Sequence, residues 1–389
     1  MPKSTQSERE VCLRWLLYAC RTWILHKDNP GTETNSSLIF QETNRDVLKK
    51  MAHFHNLEPL LHDLVKSQKL VEEELPEGLK EKWEEAYFST VIRNTEILEL
   101  LSQLLVECKK KNIRIIVLKG PSVIADIYGD IGLRPMADLD VLCRKQDLLA
   151  LRDIAYSLGY TKSGQPYLHQ LDFYHEKFDT LIELHFNLFH FVKNKKLFLQ
   201  MVWEEKTELS FENLSFPVLP LEHRIVFELA HCRFHRYNIA LKHLLDFAAR
   251  LLFLRNTIQK KKLLSLLSQS GLSEDFFLLS RTLKNLMDLP FPEYPELERP
   301  IKEADSFKNN LLDLSSSFGF TINRRTGAEF KQQEGMIKKL IFARKRLFPP
   351  LKALQATYNL SSPLKAVFFT PIHLGKLCGD FRKKIKADF

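Results

Sequence analysis

Residues 113–118, Ile-Arg-Ile-Ile-Val-Leu, form a short β-branched run bounded by Lys109-Lys110-Lys111-Asn112 and by Gly120. Such a run reads as a buried strand, and it interrupts long stretches of helical period. On its N-terminal side, Leu13, Leu16, Leu17 and Cys20 recur at helix-face spacing, as do Leu98, Leu101 and Leu105. Beyond it the pattern alternates. A helix is predicted at 121–128, a loop at 129–132, a strand at 137–143 and an amphipathic helix at 145–158. Strands at 173–178 and 180–186, joined by a tight turn near Asp179, extend the sheet. That order implies an α/β or α+β core. Helical period returns at 222–254, as one helix or two, and at 263–287, until Pro290-Phe291-Pro292-Glu293-Tyr294-Pro295 breaks it. A basic helix is predicted at 331–346, ending at Phe348-Pro349-Pro350.

Composition narrows the class. A chain of 389 residues is long for one hydrophobic core, so two or three domains are expected. With 44% hydrophobic and 27% charged residues it belongs with folded rather than disordered chains. The presence of only 13 glycines argues against an all-β or turn-repeat architecture. A net charge of +9 suits a polyanionic ligand such as a nucleotide or nucleic acid, and equally a solvated surface. Cys12, Cys20, Cys108, Cys143, Cys232 and Cys378 are scattered without a CxxC pair, which fits buried thiols in a reducing compartment. The N-terminus lacks the apolar core of a signal peptide, and no stretch reaches the roughly 18 apolar residues of a membrane span. A cytoplasmic protein with no membrane span is the expectation.

The chemistry concentrates around Ala137-Asp138-Leu139-Asp140-Val141-Leu142. Residues two apart in a strand share a face, so Asp138 and Asp140 project together while Leu139, Val141 and Cys143 face the other way. Two adjacent carboxylates repel unless a cation neutralises them, and a hard divalent ion such as Mg²⁺ suits that role. The plainer reading is a strand end whose acids face water or pair with Arg134 and Arg144. Lys119-Gly120 marks the junction of strand and helix, where backbone N–H groups and the helix dipole can face a phosphate. Ser122 adds a hydroxyl, and Lys119 and Arg134 add positive charge. Glu183 is a third isolated carboxylate in an apolar strand, with Leu181 and His185 as its same-face neighbours. It joins the aspartates if the two strands lie side by side, and otherwise pairs with a nearby base.

Four blocks resemble a known family: Leu118-Lys119-Gly120, Leu133-Arg134-Pro135-Met136-Ala137-Asp138-Leu139-Asp140, Gly159-Tyr160 and Ile182-Glu183-Leu184-His185. They are similar to the uncharacterised nucleotidyltransferase family of bacterial proteins, within the DNA polymerase β-like nucleotidyltransferase superfamily. The likeness extends to a helix running from Leu229-Ala230-His231 to Leu244-Leu245-Asp246, and to Arg346-Leu347-Phe348-Pro349. Where the superfamily has Gly-Gly or Gly-Ser, Pro121 separates Gly120 from Ser122. The resemblance implies an α+β fold, with a small mixed β-sheet core at 111–217 flanked by helical domains at 1–110 and 218–389. It implies transfer of an NMP from an NTP, ATP first among them, to a hydroxyl of a protein, small molecule or RNA. Asp138, Asp140 and Glu183 would hold Mg²⁺ or Mn²⁺, attack would fall on the α-phosphorus, and Lys119, Gly120, Ser122 and Arg134 would bind the phosphates. Arg134 could instead pair structurally with Asp138.

Other residues suggest less. His231 and His235 share a helix face that could bind a metal, but Cys232 stands where an HExxH motif needs Glu, so these histidines, with Arg236, Lys242 and Asp246, read as lining a cleft wall or satisfying one another. Cys143 sits in too apolar a setting for a nucleophile. The basic run 338–346 suits either nucleic acid or a solvated helix face. Two rival functions remain open: a toxin-like modifier of tRNA or protein, and a catalytically silent nucleotide-binding scaffold.

Overall fold

The computed structural model describes residues 6–30, 44–70, 75, 78–163, 170–188, 193–205, 207–234 and 239–295. The basic helix expected at 331–346, the Arg346-Leu347-Phe348-Pro349 element, His235, Arg236 and Cys378 lie outside the described residues. The described chain forms two compact units that alternate along the sequence. Residues 6–96, 121–136 and 193–295 make a helical unit, and residues 97–120 with 137–188 make a sheet unit. This division differs from the chain-order segments 1–110, 111–217 and 218–389. It follows contacts, and these let residues 121–136 leave the span of the sheet and join the helices.

In the helical unit, α1 (Gln6–Asp28) packs against α2 (Arg45–Phe54) and α3 (Glu58–Lys66). The start of α2 is fixed by Asn44, whose Oδ1 accepts from the backbone N–H groups of Asp46 and Val47 at 3.1 and 3.3 Å. Its buried stripe is Val47, Leu48, Met51 and Ala52. The long α4 (Leu79–Lys110) starts here and contributes its last turns, from Ile97, to the sheet unit. Trp15 stacks on Trp83 with ring centroids 6.1 Å apart, and Trp23 on Tyr128 at 4.9 Å. The remaining elements are α7 (Lys195–Glu204), the hairpin β6 (Glu208–Phe211) with β7 (Leu214–Pro217), α8 (Leu221–Phe234), α9 (Leu241–Phe253), α10 (Lys260–Ser270) and α11 (Ser273–Met287). The periodic run at 222–254 is therefore two helices.

The segment predicted as a helix at 121–128 is α5 (Pro121–Val123) followed by a π-helical turn, Ile124–Tyr128. The widening has a local cause. Gly129, at φ +67°, turns its N–H back to the Ile124 carbonyl at 2.8 Å, a bond spanning five residues. Asp126 within this turn accepts from both Arg224 and Arg250, and Arg250 also donates to Glu228 at 2.8 Å. Buried ion pairs thus tie the turn to α8 and α9. Further on, Asn94 of α4 donates to the carbonyls of Ile131 and Arg134 at 2.6 and 2.8 Å and accepts from Met136 N–H at 3.1 Å. One side chain therefore satisfies three backbone groups of a loop with no ladder of its own. Gly132 suits that loop, because a Cβ there would run into the Tyr87 ring unless the ring shifted.

Among the described residues the sheet unit has five strands in the order β1 (Ile115–Val117), β2 (Asp138–Cys143), β5 (Thr180–His185), β4 (Gln170–His175), β3 (Thr161–Ser163). Only β2 and β5 run parallel, which makes the sheet mixed and the fold α+β. Leu139, Val141, Ile182, Leu184 and Phe173 share one buried face. Helix α6 (Leu148–Ser157), which follows the 3₁₀ turn Lys145–Asp147, covers that face: Tyr156 meets Phe173 edge-on at 5.8 Å. The acids of β2 and β5, with His185, are left for the opposite face. Strand β4 ends at His175 rather than 178. The turn starts earlier than its sequence suggests because Phe178 N–H donates to His175 Nδ1 at 3.3 Å and Asp179 adopts φ +46°.

Candidate active site

Register decides which acids meet. In the parallel pair, Asp138 lies opposite Leu181, Asp140 opposite Glu183, and Leu142 opposite His185. Alternation then puts Asp138, Asp140, Glu183 and His185 on one face. Strand β4 extends the row, with Asp172 opposite Glu183 and Gln170 opposite His185. On the other flank β1 pairs antiparallel with β2, and Leu118 N–H donates to the Asp140 carbonyl at 3.0 Å. That bond carries the ladder up to Lys119, whose ammonium returns to the acid it follows.

Both oxygens of the Asp140 carboxylate are engaged. Oδ1 meets His185 Nε2 at 2.8 Å and Oδ2 meets Lys119 Nζ at 3.1 Å. His185 Nε2 also lies 3.3 Å from Glu183 Oε2. One oxygen from each of Asp140 and Glu183 and one ring nitrogen of His185 all fall within 4.8 Å of one another. Side-chain exposure rises from 1% at Asp140 through 9% at His185 to 15% at Glu183, so the cluster opens on the Glu183 side.

The electrostatics follow from this geometry. Burial pushes the Asp140 carboxyl up, yet Lys119 and His185 override it and hold the group far below the usual carboxylate range. His185 shows the converse: burial disfavours its charge, but bonds to Asp140 and Glu183 raise it to about 9. Lys119 likewise loses to burial and gains more from Asp140, Asp138 and Glu183, so its pKa is raised. The field of Asp138 thus reaches the same ammonium as the other two acids.

The remaining candidates fall elsewhere. Gly120 takes a left-handed φ of +59°, the conformation a strand needs to turn at once into Pro121. Ser122 is fully buried, and its hydroxyl has no hydrogen-bond partner among the described residues. Arg134, expected beside the phosphates or on Asp138, is buried and directs its guanidinium fork to Asp246 of α9. Nε lies 3.1 and 3.0 Å from the two carboxylate oxygens and Nη2 lies 2.8 Å from one of them. Tyr128 adds a third donor to Asp246 at 2.9 Å. A planar fork fits a carboxylate as well as it fits a phosphate, and here the carboxylate holds it. His231 lies beside His243 of α9, ring centroids 5.3 Å apart. Cys143 is buried and its thiol pKa is pushed up, the opposite of an activated nucleophile.

In the sequence His185 stands out only as a same-face neighbour of Glu183. Its signal was present in the two-residue spacing, but its partner on β2 depended on the register. Asp246 as the partner of Arg134, 112 positions away, left no local trace.

Residues 41–288, well over half of the chain, match a family described as uncharacterised nucleotidyltransferase. No curated protein and no solved structure matches the chain. No helix among the described residues is long and apolar enough to cross a membrane.

Proposed function

Because the chain belongs to the uncharacterised nucleotidyltransferase family and is a transferase, we propose that it moves an NMP from an NTP to an acceptor hydroxyl with the help of a divalent cation. Asp138, Asp140 and Glu183 would hold that cation, Mg²⁺ or Mn²⁺, with ATP as the donor. The observation that carries this reading is the convergence of Asp140 and Glu183 from two parallel strands, with ligand atoms within 4.8 Å. Those hard oxygen donors fit an ion of this class. When bound, such an ion supplies charge neutralisation at the triphosphate and lowers the pKa of the attacking hydroxyl.

The chain's own residues have separate tasks. Asp140 is fixed in orientation by His185 and Lys119, one on each oxygen, so its carboxylate costs little reorganisation on binding. Glu183, at the open side of the cluster, presents its carboxylate to incoming ligand. Lys119 is placed to turn its ammonium from Asp140 to the phosphates, because it is the more exposed partner, 18% against 1%. We assign phosphate bracing to Lys119, with Gly120 beside it, since Arg134 is committed to Asp246 and Ser122 is fully buried. The acceptor is a protein, a small molecule or an RNA. We place the reaction in the cytoplasm, where the buried thiols of Cys12, Cys20, Cys108 and Cys143 stay reduced.

Incubation of the protein with each α-³²P-labelled NTP, Mg²⁺ or Mn²⁺ and cell lysate tests the reading. Label should appear on one class of acceptor and vanish with the Asp138→Asn, Asp140→Asn double variant. Equal labelling by that variant, or none with any NTP, would leave a nucleotide-binding scaffold as the better description.

A further inference from the structure

The cation-binding cluster contains a nitrogen that the carboxylate reading leaves unused. His185 Nε2 lies 2.8 Å from Asp140 Oδ1 and 3.3 Å from Glu183 Oε2, and the three ligand atoms lie within 4.8 Å of one another. Ions of this size bind their ligands at about 2.0–2.6 Å, so donors that close can all reach one centre with only side-chain adjustment. The position of the imidazole is dictated by the strand. Glu183 and His185 are two apart on β5 and so share the face on which Asp140 stands. The ring is buried, at 9% side-chain exposure, and its Nε2 is aimed between two carboxylates rather than at solvent.

We infer that His185 is a direct ligand of the bound cation, and that the resulting oxygen–oxygen–nitrogen set selects a transition-series divalent ion such as Mn²⁺ over Mg²⁺. The inference rests on the metal-dependent reading above and specifies its ion. Mg²⁺ demands hard oxygen donors in near-ideal octahedral geometry. An imidazole nitrogen instead favours the ions that gain along the first transition row. Ligation uses the lone pair of Nε2, the ring atom that already lies between the two carboxylates.

The test uses the full-length protein and Mn²⁺ as the probe, followed by electron paramagnetic resonance with Mg²⁺ in competition. Wild-type protein should bind Mn²⁺ in preference to Mg²⁺, and pulsed spectra of the bound ion should show coupling to a directly coordinated imidazole nitrogen. His185→Gln, which offers an amide oxygen instead, should lose the nitrogen coupling. It should also lower the Mn²⁺-over-Mg²⁺ preference by about tenfold or more, the scale already seen for outer-sphere partners of a metal. Bound Mn²⁺ without nitrogen coupling in the wild type would overturn the assignment on its own, whatever the folding of the variant. So would an unchanged preference in a folded His185→Gln protein. The two readings separate cleanly. Nitrogen coupling without any nucleotide transfer would retain His185 as a ligand and reject the transfer reaction. Transfer with bound Mn²⁺ lacking nitrogen coupling would do the reverse. A wild type that binds no Mn²⁺ would reject both.

Discussion

Replacing Arg134 by Met separates a structural arginine from a phosphate-binding one. The guanidinium and the Asp246 carboxylate are 5% and 4% exposed and joined by a fork of bonds between 2.8 and 3.1 Å. Removing one member of a pair this buried leaves the other charge desolvated, which typically costs about 3–5 kcal/mol. Asp246 keeps the Tyr128 hydroxyl at 2.9 Å, so Arg134→Met should fall near the lower end, about 3 kcal/mol. Asp246→Leu strands the arginine and should cost about 4 kcal/mol. The double variant removes both charges of this pair together. It leaves only the Tyr128 hydroxyl unsatisfied, a cost of about 1–3 kcal/mol. The double variant should therefore be markedly more stable than the sum of the singles, by several kcal/mol. Urea unfolding followed by tryptophan fluorescence reads this directly, because Trp23 stacks on Tyr128 at 4.9 Å. Additive single-variant costs would refute the reasoning. So would an Arg134→Met protein of unchanged stability whose KM for NTP rises, which would return the guanidinium to the phosphates.

Two further outcomes are expected. Lys119→Met removes the ammonium that lies 3.1 Å from Asp140. If it braces the triphosphate, NTP affinity by calorimetry should fall by tenfold or more, since a bond to a charged group is worth about 1.5–3 kcal/mol; an unchanged affinity would assign Lys119 to Asp140 alone. Acid should weaken the helical unit through His55, which is fully buried, accepts the Leu241 N–H at 3.3 Å on Nδ1, and has its pKa lowered by burial to about 3. The unfolded chain then binds the proton more readily, so stability is complete above the unfolded pKa of about 6.5 and falls as pH drops below it. At pH 5 the loss from His55 should be about 2 kcal/mol. His55→Gln should flatten the pH 5 to 7.5 slope of urea stability by that amount; an unaltered slope would rule His55 out.

Legibility in the sequence followed the range of the forces involved. The strand at 138–143 was readable because a period of two with buried Leu139, Val141 and Cys143 has few other interpretations. Asp138 and Asp140 shared a face by the same rule. Whether Glu183 joined them was a question of strand order. The sequence neighbours β4 and β5 do pair, but β5 also takes the parallel place beside β2, and only that register sets Glu183 against Asp140. The short β3 and the β6–β7 hairpin are too brief to impose a pattern. The π-helical turn at 124–128 retains the spacing of an ordinary helix, and its widening comes with the Gly129 N–H that reaches back to Ile124. The bond of Arg134 to Asp246 was not legible, because a guanidinium near two acids in sequence has no means of announcing a third acid 112 residues away.

The placement of Lys119 and His185 also bears on why the carboxylates can sit on a strand at all. Asp140 is 1% exposed, and burying such a charge alone costs several kcal/mol. With an ammonium on one oxygen and an imidazole on the other, the charge is offset from within the chain, and the strand can form around it. The cluster therefore does not need a cation to fold, unlike small metal-nucleated domains whose ligands converge only on the ion. The same offset sets the terms for binding. On the proposed function, an incoming cation would compete with His185 and Lys119 for the oxygens of Asp140, and an arriving triphosphate would give Lys119 another anion to pair with. Nucleotide and cation should then favour each other's binding through Lys119, a coupling that must be reciprocal. In a Lys119→Met protein the cation should bind Asp140 more readily without nucleotide, and the gain that nucleotide adds should shrink.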